Sequence, residues 1–308
     1  MDEEQAVALD RDTRWSGIGL DQQVGTMNRL LRKACSVILL LYVAAGGELG
    51  AQQVVGASLW YEPLPEPTLE TSAAVPIVLN NGRTIFLNRV SYQNVVYHFE
   101  EWGFAEGDAE DMERFHSITY SLIYLQQLAE KWRLLLAANP SLSSDFGSDI
   151  SADDFFLSLQ GGFTAQILEN LSLGLALLYN LGDLYPYPGA LIEWKITKDL
   201  VLSGILPVFA TLEYGISRYL DLGLQANLEF RSHHGDPDKY GLENPQFSFI
   251  FARAGGYVQA NVMSWLHLNV EGGYYFYRYL SFGNGNEEQE SLFLDNAFYI
   301  KGGLIVGF

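Results

Sequence analysis

From Leu220 to Arg231 the chain alternates without a break. Leu220, Leu222, Leu224, Ala226, Leu228 and Phe230 make one stripe; Asp221, Gly223, Gln225, Asn227, Glu229 and Arg231 make the other. A period of two over that length predicts a β-strand with one apolar and one polar face. Phe155, Leu157, Leu159, Gly161, Phe163 and Ala165 repeat the pattern, as does the run from Leu171 to Leu181. Residues 297–308 alternate as well. Taken together, such runs predict about fourteen strands, near 54–61, 70–80, 83–99, 115–128, 132–142, 153–167, 171–181, 189–196, 200–207, 210–216, 220–231, 246–260, 265–281 and 296–308. Twelve is the second count.

Every second connection is short: Asn80-Asn81-Gly82, Ala129-Glu130-Lys131, Leu168-Glu169-Asn170, Thr197-Lys198-Asp199, Ser217-Arg218-Tyr219 and Asn261 to Ser264. Those between are mostly longer, with Pro207-Val208-Phe209 the exception. Carboxylates crowd the long loops. Lys131, Lys195, Lys198, Arg218, Trp132, Trp194, Tyr219 and Trp265 fall near the short turns. Short turns on one side, long loops on the other and an aromatic girdle predict an all-β, antiparallel up-and-down transmembrane barrel. Closure removes the edges that an open apolar sheet would leave to aggregate, and lipid accepts the apolar face.

The final strand ends on Phe308 and resembles the C-terminal signature of bacterial outer-membrane barrels, in which a terminal aromatic is the insertion signal read by the insertion machinery. The chain from about Ala73 is also similar to a family of outer-membrane barrels known only as a domain of unknown function. Leu87-Asn88 with Tyr92, Leu128 with Trp132, the Tyr187-Pro188-Gly189 to Trp194 segment and Leu206-Pro207 carry that likeness. It implies an outer-membrane barrel and brings no activity and no catalytic residues.

Residues 1–26 are polar and aperiodic and read as a start-site artefact. Residues 27–51 read as a signal peptide: a basic Met27 to Lys33, an apolar Ala34 to Ala45, and a cleavage site at Leu49-Gly50-Ala51. Residues 52–308 then form a single barrel in the outer membrane of a diderm bacterium. Cys35 is the only cysteine, so the exported part holds no disulfide or thiolate chemistry. The chain carries a net charge of −19, which argues against nucleic acid as a partner. The partners expected are outer-membrane lipid and the barrel insertion machinery.

Strand parity turns Glu193, Lys195, Glu213, Asp221, Glu229, Arg231, His267, Glu271 and Lys301 toward the interior. Eight strands leave no hole and sixteen leave a channel. Fourteen falls between, and a modest aqueous path for small solutes is favoured over a filled lumen. No cofactor is expected. The alternative is a surface-binding or structural barrel whose acidic outer loops engage divalent cations or a partner, with Glu106, Asp108 and Asp111 as hard oxygen ligands. His233, His234 and Asp236 are weaker metal candidates; paired histidines in a loop are more often solvated. The same Ser232 to Asp236 stretch is the one segment with the residue types of a hydrolase, although neighbouring side chains on an extended loop point apart. The leading expectation is a non-enzymatic barrel.

Overall fold

The computed structural model describes residues 56–98, 113–147, 149–181, 186–240, 242–285 and 287–307. The signal-peptide segment, Glu106, Asp108, Asp111 and Phe308 lie outside those residues.

Fourteen strands close a ring. They are β1 (Gly56–Leu64), β2 (Thr68–Leu79), β3 (Thr84–Tyr97), β4 (Glu113–Ala129), β5 (Trp132–Ser144), β6 (Phe155–Leu168), β7 (Leu171–Asn180), β8 (Tyr187–Lys195), β9 (Leu200–Leu206), β10 (Phe209–Ser217), β11 (Leu220–His234), β12 (Pro245–Met263), β13 (Leu266–Asn284) and β15 (Ala297–Gly307). β1 to β13 each pair antiparallel with their sequence neighbours. β15 then joins β13 to β1, with Leu304 opposite both Leu268 and Leu59. The count of fourteen therefore holds, and each predicted boundary lies within three residues of the observed one.

One strand is additional. β14 (Glu287–Phe293) lies in the predicted loop between Gly283 and Asp295 and pairs only with the end of β13, Tyr279 opposite Phe293. It extends the wall beyond the ring at the long-loop end.

Local chemistry explains the short turns. Asn80, Asn81 and Gly82 all hold positive φ, at 53°, 54° and 84°. Asn and Gly tolerate that region best, so Asn-Asn-Gly turns the chain where other residues would be strained.

The apolar stripes face outward. Phe298 is 77% exposed, Leu175 62% and Leu224 62%. Trp132, Trp194, Tyr219 and Trp265 are exposed at the short-turn end. An exposed apolar belt around a closed sheet, bounded by aromatic residues, is the surface that a bilayer solvates.

Glycines admit rings on the inner face. A Cβ on Gly223 would stand 2.1 Å from the Tyr257 ring, and one on Gly303 would stand 2.2 Å from Trp60. Each glycine is thus the floor under an aromatic side chain of the next strand.

Candidate functional site

Register fixes which residues share the interior. Glu193, Lys195, Glu213, Asp221, Glu229, Arg231, His267, Glu271 and Lys301 all lie on the face opposite the exposed apolar stripe. They do not form one cluster. Toward the short turns, Glu213 accepts from the Tyr257 hydroxyl at 2.8 Å, Asp221 from Asn261 at 2.8 Å, and His267 bonds Asn261 at 2.6 Å. Glu193 pairs loosely with Arg133 at 3.6 Å, and its carboxylate remains exposed. This end is a wet, charged vestibule.

Toward the long loops the interior is packed. Arg253 bridges Glu62 at 2.9 Å and Glu229 at 2.7 Å, and Glu229 also takes Arg231 at 2.8 Å. The Tyr275 hydroxyl donates to Glu62 at 2.7 Å, and the Tyr299 hydroxyl to Glu271 at 2.7 Å. The Arg253 guanidinium also lies 4.9 Å over the Tyr299 ring. Glu62, Arg253 and Tyr275 are buried, so the network is held by partners rather than by water. Sequence parity supplied Glu229, Arg231 and Glu271. It missed Glu62 and Arg253, because Glu62 was assigned to a loop and Arg253 sits alone in the apolar stretch from Phe247 to Gly256.

Beyond this network an aromatic cluster occupies part of the bore. Val95 and Tyr97 of β3 and Phe115 of β4 pack with Phe247, Phe249 and Phe251 of β12 and Leu280 of β13. The wall's own side chains narrow the long-loop end on this arc.

The same region contains a chord. His234 of β11 pairs in parallel with Ser144 of β5, and the Asp145 N–H donates to the His234 carbonyl at 3.2 Å. The chord passes across five strands, β6 to β10. Both histidines hold it. His233 points inward, bonding Ser143 through Nδ1 at 2.7 Å and Tyr97 through Nε2 at 3.4 Å. His234 points outward to Asp154, with Nδ1 2.9 Å from Oδ1. Asp154 also accepts from the Ser151 N–H at 2.7 Å. Burial raises the Asp154 pKa, but hydrogen bonds from Ser151, Ser144 and His234 outweigh that and hold it below the usual aspartate range.

The reading of the histidine pair as a solvated loop is therefore corrected: both are buried, at the end of a strand three residues longer than predicted. Nor do they share a site with Asp236, which accepts from the Asp238 N–H at 3.0 Å. Among the described residues no three His, Cys, Asp or Glu side chains are placed to hold a metal ion. Ser232 faces outward near Ser248 at 3.5 Å, away from His233, so the segment assembles no nucleophile and base.

A cavity of about 440 Å³ lies beneath the chord. Inner-face residues Gln93, Ser117, Thr119, Ser141 and Ser158 line one part of it. Outer-face residues Phe230, Ser232, Ser248 and Ile250 line another. It reaches both faces because the wall between them is low. β10 pairs with β11 only as far as Asn227, and Leu228 N–H donates to Val208 at 2.7 Å. Above that, β11 has no strand partner on this side until His234, among the described residues.

Fold and site together define a closed antiparallel membrane barrel whose bore is partly occupied at one end and whose wall, among the described residues, is low beside β11. Within that class, residues 103–304 match the family described as Domain of unknown function (DUF6268), and the chain belongs to that family. No curated protein matches this chain in sequence. Among solved structures, the COG4313 outer membrane channel from Pseudomonas putida F1 is similar at 9% identity and a TM-score of 0.43, over 85% of this chain and 97% of that one. LpxR from Salmonella typhimurium is similar at 8% identity and a TM-score of 0.37, over 83% and 100%. A KdgM porin is similar at 9% identity and a TM-score of 0.35, over 83% and 99%. Likeness at these levels carries no argument about activity.

Proposed function

We propose that the chain is an integral protein of a bacterial outer membrane, with short turns on the periplasmic side. Its periplasmic vestibule admits small solutes, and an outer seal keeps them from crossing freely. The observation that carries this reading is the packing of Tyr97, Phe115, Phe247 and Phe249 across the bore, contributed by strands that are not neighbours in the ring. The reading needs no catalytic group. It supports restricted passage, opened by movement of the seal or of a side path, over an open diffusion pore.

Planar-bilayer recording of the purified barrel is the direct test. A sealed barrel shows rare, small conductance events. Steady conductance of the size given by open general porins, without any applied stimulus, would overturn the reading.

A further inference from the structure

We propose that the notch between β11 and the tops of β6, β7 and β8 is a lateral binding site. Its ligand is a single-chain amphiphile with an uncharged, hydroxyl-rich head group such as a sugar. The proposal rests on the membrane-barrel reading and adds a ligand class to it.

Three observations converge. The first is the edge of β11, which among the described residues has no strand partner on this side between Leu228 and His234. From Leu228 to His234 the strand rises about 20 Å, and Phe230 and Ser232 direct their backbone N–H and C=O groups into the notch, following the alternation set by Leu228 and His234. Hydrocarbon cannot satisfy such groups, so the edge requires a polar occupant or an aqueous boundary.

The second is the level at which the edge lies. Phe230, Ile250 and Tyr279 are register partners on the outer face, and two residues further along so are Ser232, Ser248 and Ser281. The outer surface thus changes from apolar to hydroxyl in one step across three strands. That step marks the limit of the hydrocarbon, and the notch straddles it. An amphiphile is the molecule with both halves of the required chemistry.

The third is the lining. Gln93, Ser117, Thr119, Ser141 and Ser158 offer hydroxyls and an amide from the inner wall. Arg231 is the lining's one guanidinium, and Glu229 already holds it at 2.8 Å. A lining of neutral donors and acceptors fits a polyhydroxylated head group better than a phosphate, which would need an unpaired cation. Leu157, Leu181, Phe230 and Ile250, on the lipid side, suit the chain.

The test uses the full chain in phosphatidylcholine nanodiscs with a dansyl-labelled dodecyl glucoside as probe. We expect saturable binding and a blue-shifted emission. Ser232→Trp, which fills the notch, weakens binding by about tenfold or more, whereas Thr71→Trp on the far outer wall does not. A dansyl-labelled dodecyl phosphate binds about tenfold more weakly than the glucoside, and free glucose does not compete.

If Ser232→Trp fails to fold, Ser141→Leu, which strips a hydroxyl from the inner wall, takes its place with the same expected loss. Non-saturable uptake that is equal in all variants overturns the site. Equal affinity for the phosphate overturns the head-group assignment. Heat-modifiable gel migration reports the folded barrel separately, so a failure to insert counts against the membrane reading and not against the notch.

Discussion

Tyr97 and Phe249 stack face to face, with centroids 4.2 Å apart and planes 9° from parallel, although their strands β3 and β12 are not neighbours in the ring. Inner-wall side chains of a fourteen-strand barrel meet this way only where opposite walls approach. The two rings belong to the seal we propose, and removing them is the most direct way to open it. Tyr97→Ala with Phe249→Ala should turn rare events into sustained conductance in planar bilayers. An unchanged trace from a folded double variant would place the barrier elsewhere.

Arg253 is the hub of the buried ion network. Replacing it with Met keeps much of its volume but strands the buried Glu62 carboxylate without its cation and leaves Glu229 with Arg231 alone. Breaking a buried pair by removing one partner costs about 3–5 kcal/mol. The urea midpoint of the folded barrel should fall accordingly. Glu62→Gln should cost less, because an amide oxygen still accepts from the Tyr275 hydroxyl.

The floor under Tyr257 predicts a steric effect. Gly223→Val places branched carbons where a ring already lies, and overpacking of this kind costs about 1–3 kcal/mol. Pairing it with Tyr257→Ala should recover much of the loss. A double variant no more stable than Gly223→Val alone would rule out the contact as the cause.

The two faces of β11 give a test of the membrane reading itself. Leu224→Lys puts a charge on the lipid side, at a cost of about 2–4 kcal/mol near the bilayer midplane. Gln225→Lys, one residue on, faces the wet interior and should be nearly neutral. Refolding yields into vesicles measure both. Equal yields would mean that the outer face does not meet hydrocarbon.

Asp154 ties the loop after β5 to the end of β11. Its carboxyl is held below the ordinary range, so its contribution is complete above the unfolded aspartate pKa of about 3.9. The contribution is lost as pH falls through the lower folded value. Hydrogen-exchange protection of residues 145–147 and 149–154, corrected for intrinsic rates, should stay level from neutral pH to about 4 and drop below that. Asp154→Asn should lower the protection at neutral pH and flatten the acid dependence.

Most of the barrel can be read from the chain, because side-chain period, turn chemistry and loop length each point to the same closed sheet. Leu220 to Phe230 needs no tertiary information to declare its two faces. The end of the same strand does. Ser232, His233 and His234 look like loop residues until Ser143 and Asp154, distant in sequence, supply their partners. β14 was missed for a related reason: Glu287, Glu288 and Glu290 carry no apolar stripe, and only the overhanging end of β13 gives that segment a strand to pair with. Inward parity for the nine charged and polar candidates followed from alternation alone, but parity cannot say which inward residues meet. The seal depends on two walls converging, and no local pattern records the distance across a ring.

The chord from Ser144 to His234 joins β5 to β11, six strands on in the up-and-down order and so running the same way, in a sheet where every other strand pairing is antiparallel. A single residue pair therefore divides the rim into a tightly stitched arc and a slack one. Mechanical freedom should concentrate in β6 to β10: these five strands can breathe outward like a hinged panel while the rest of the cylinder keeps its girth.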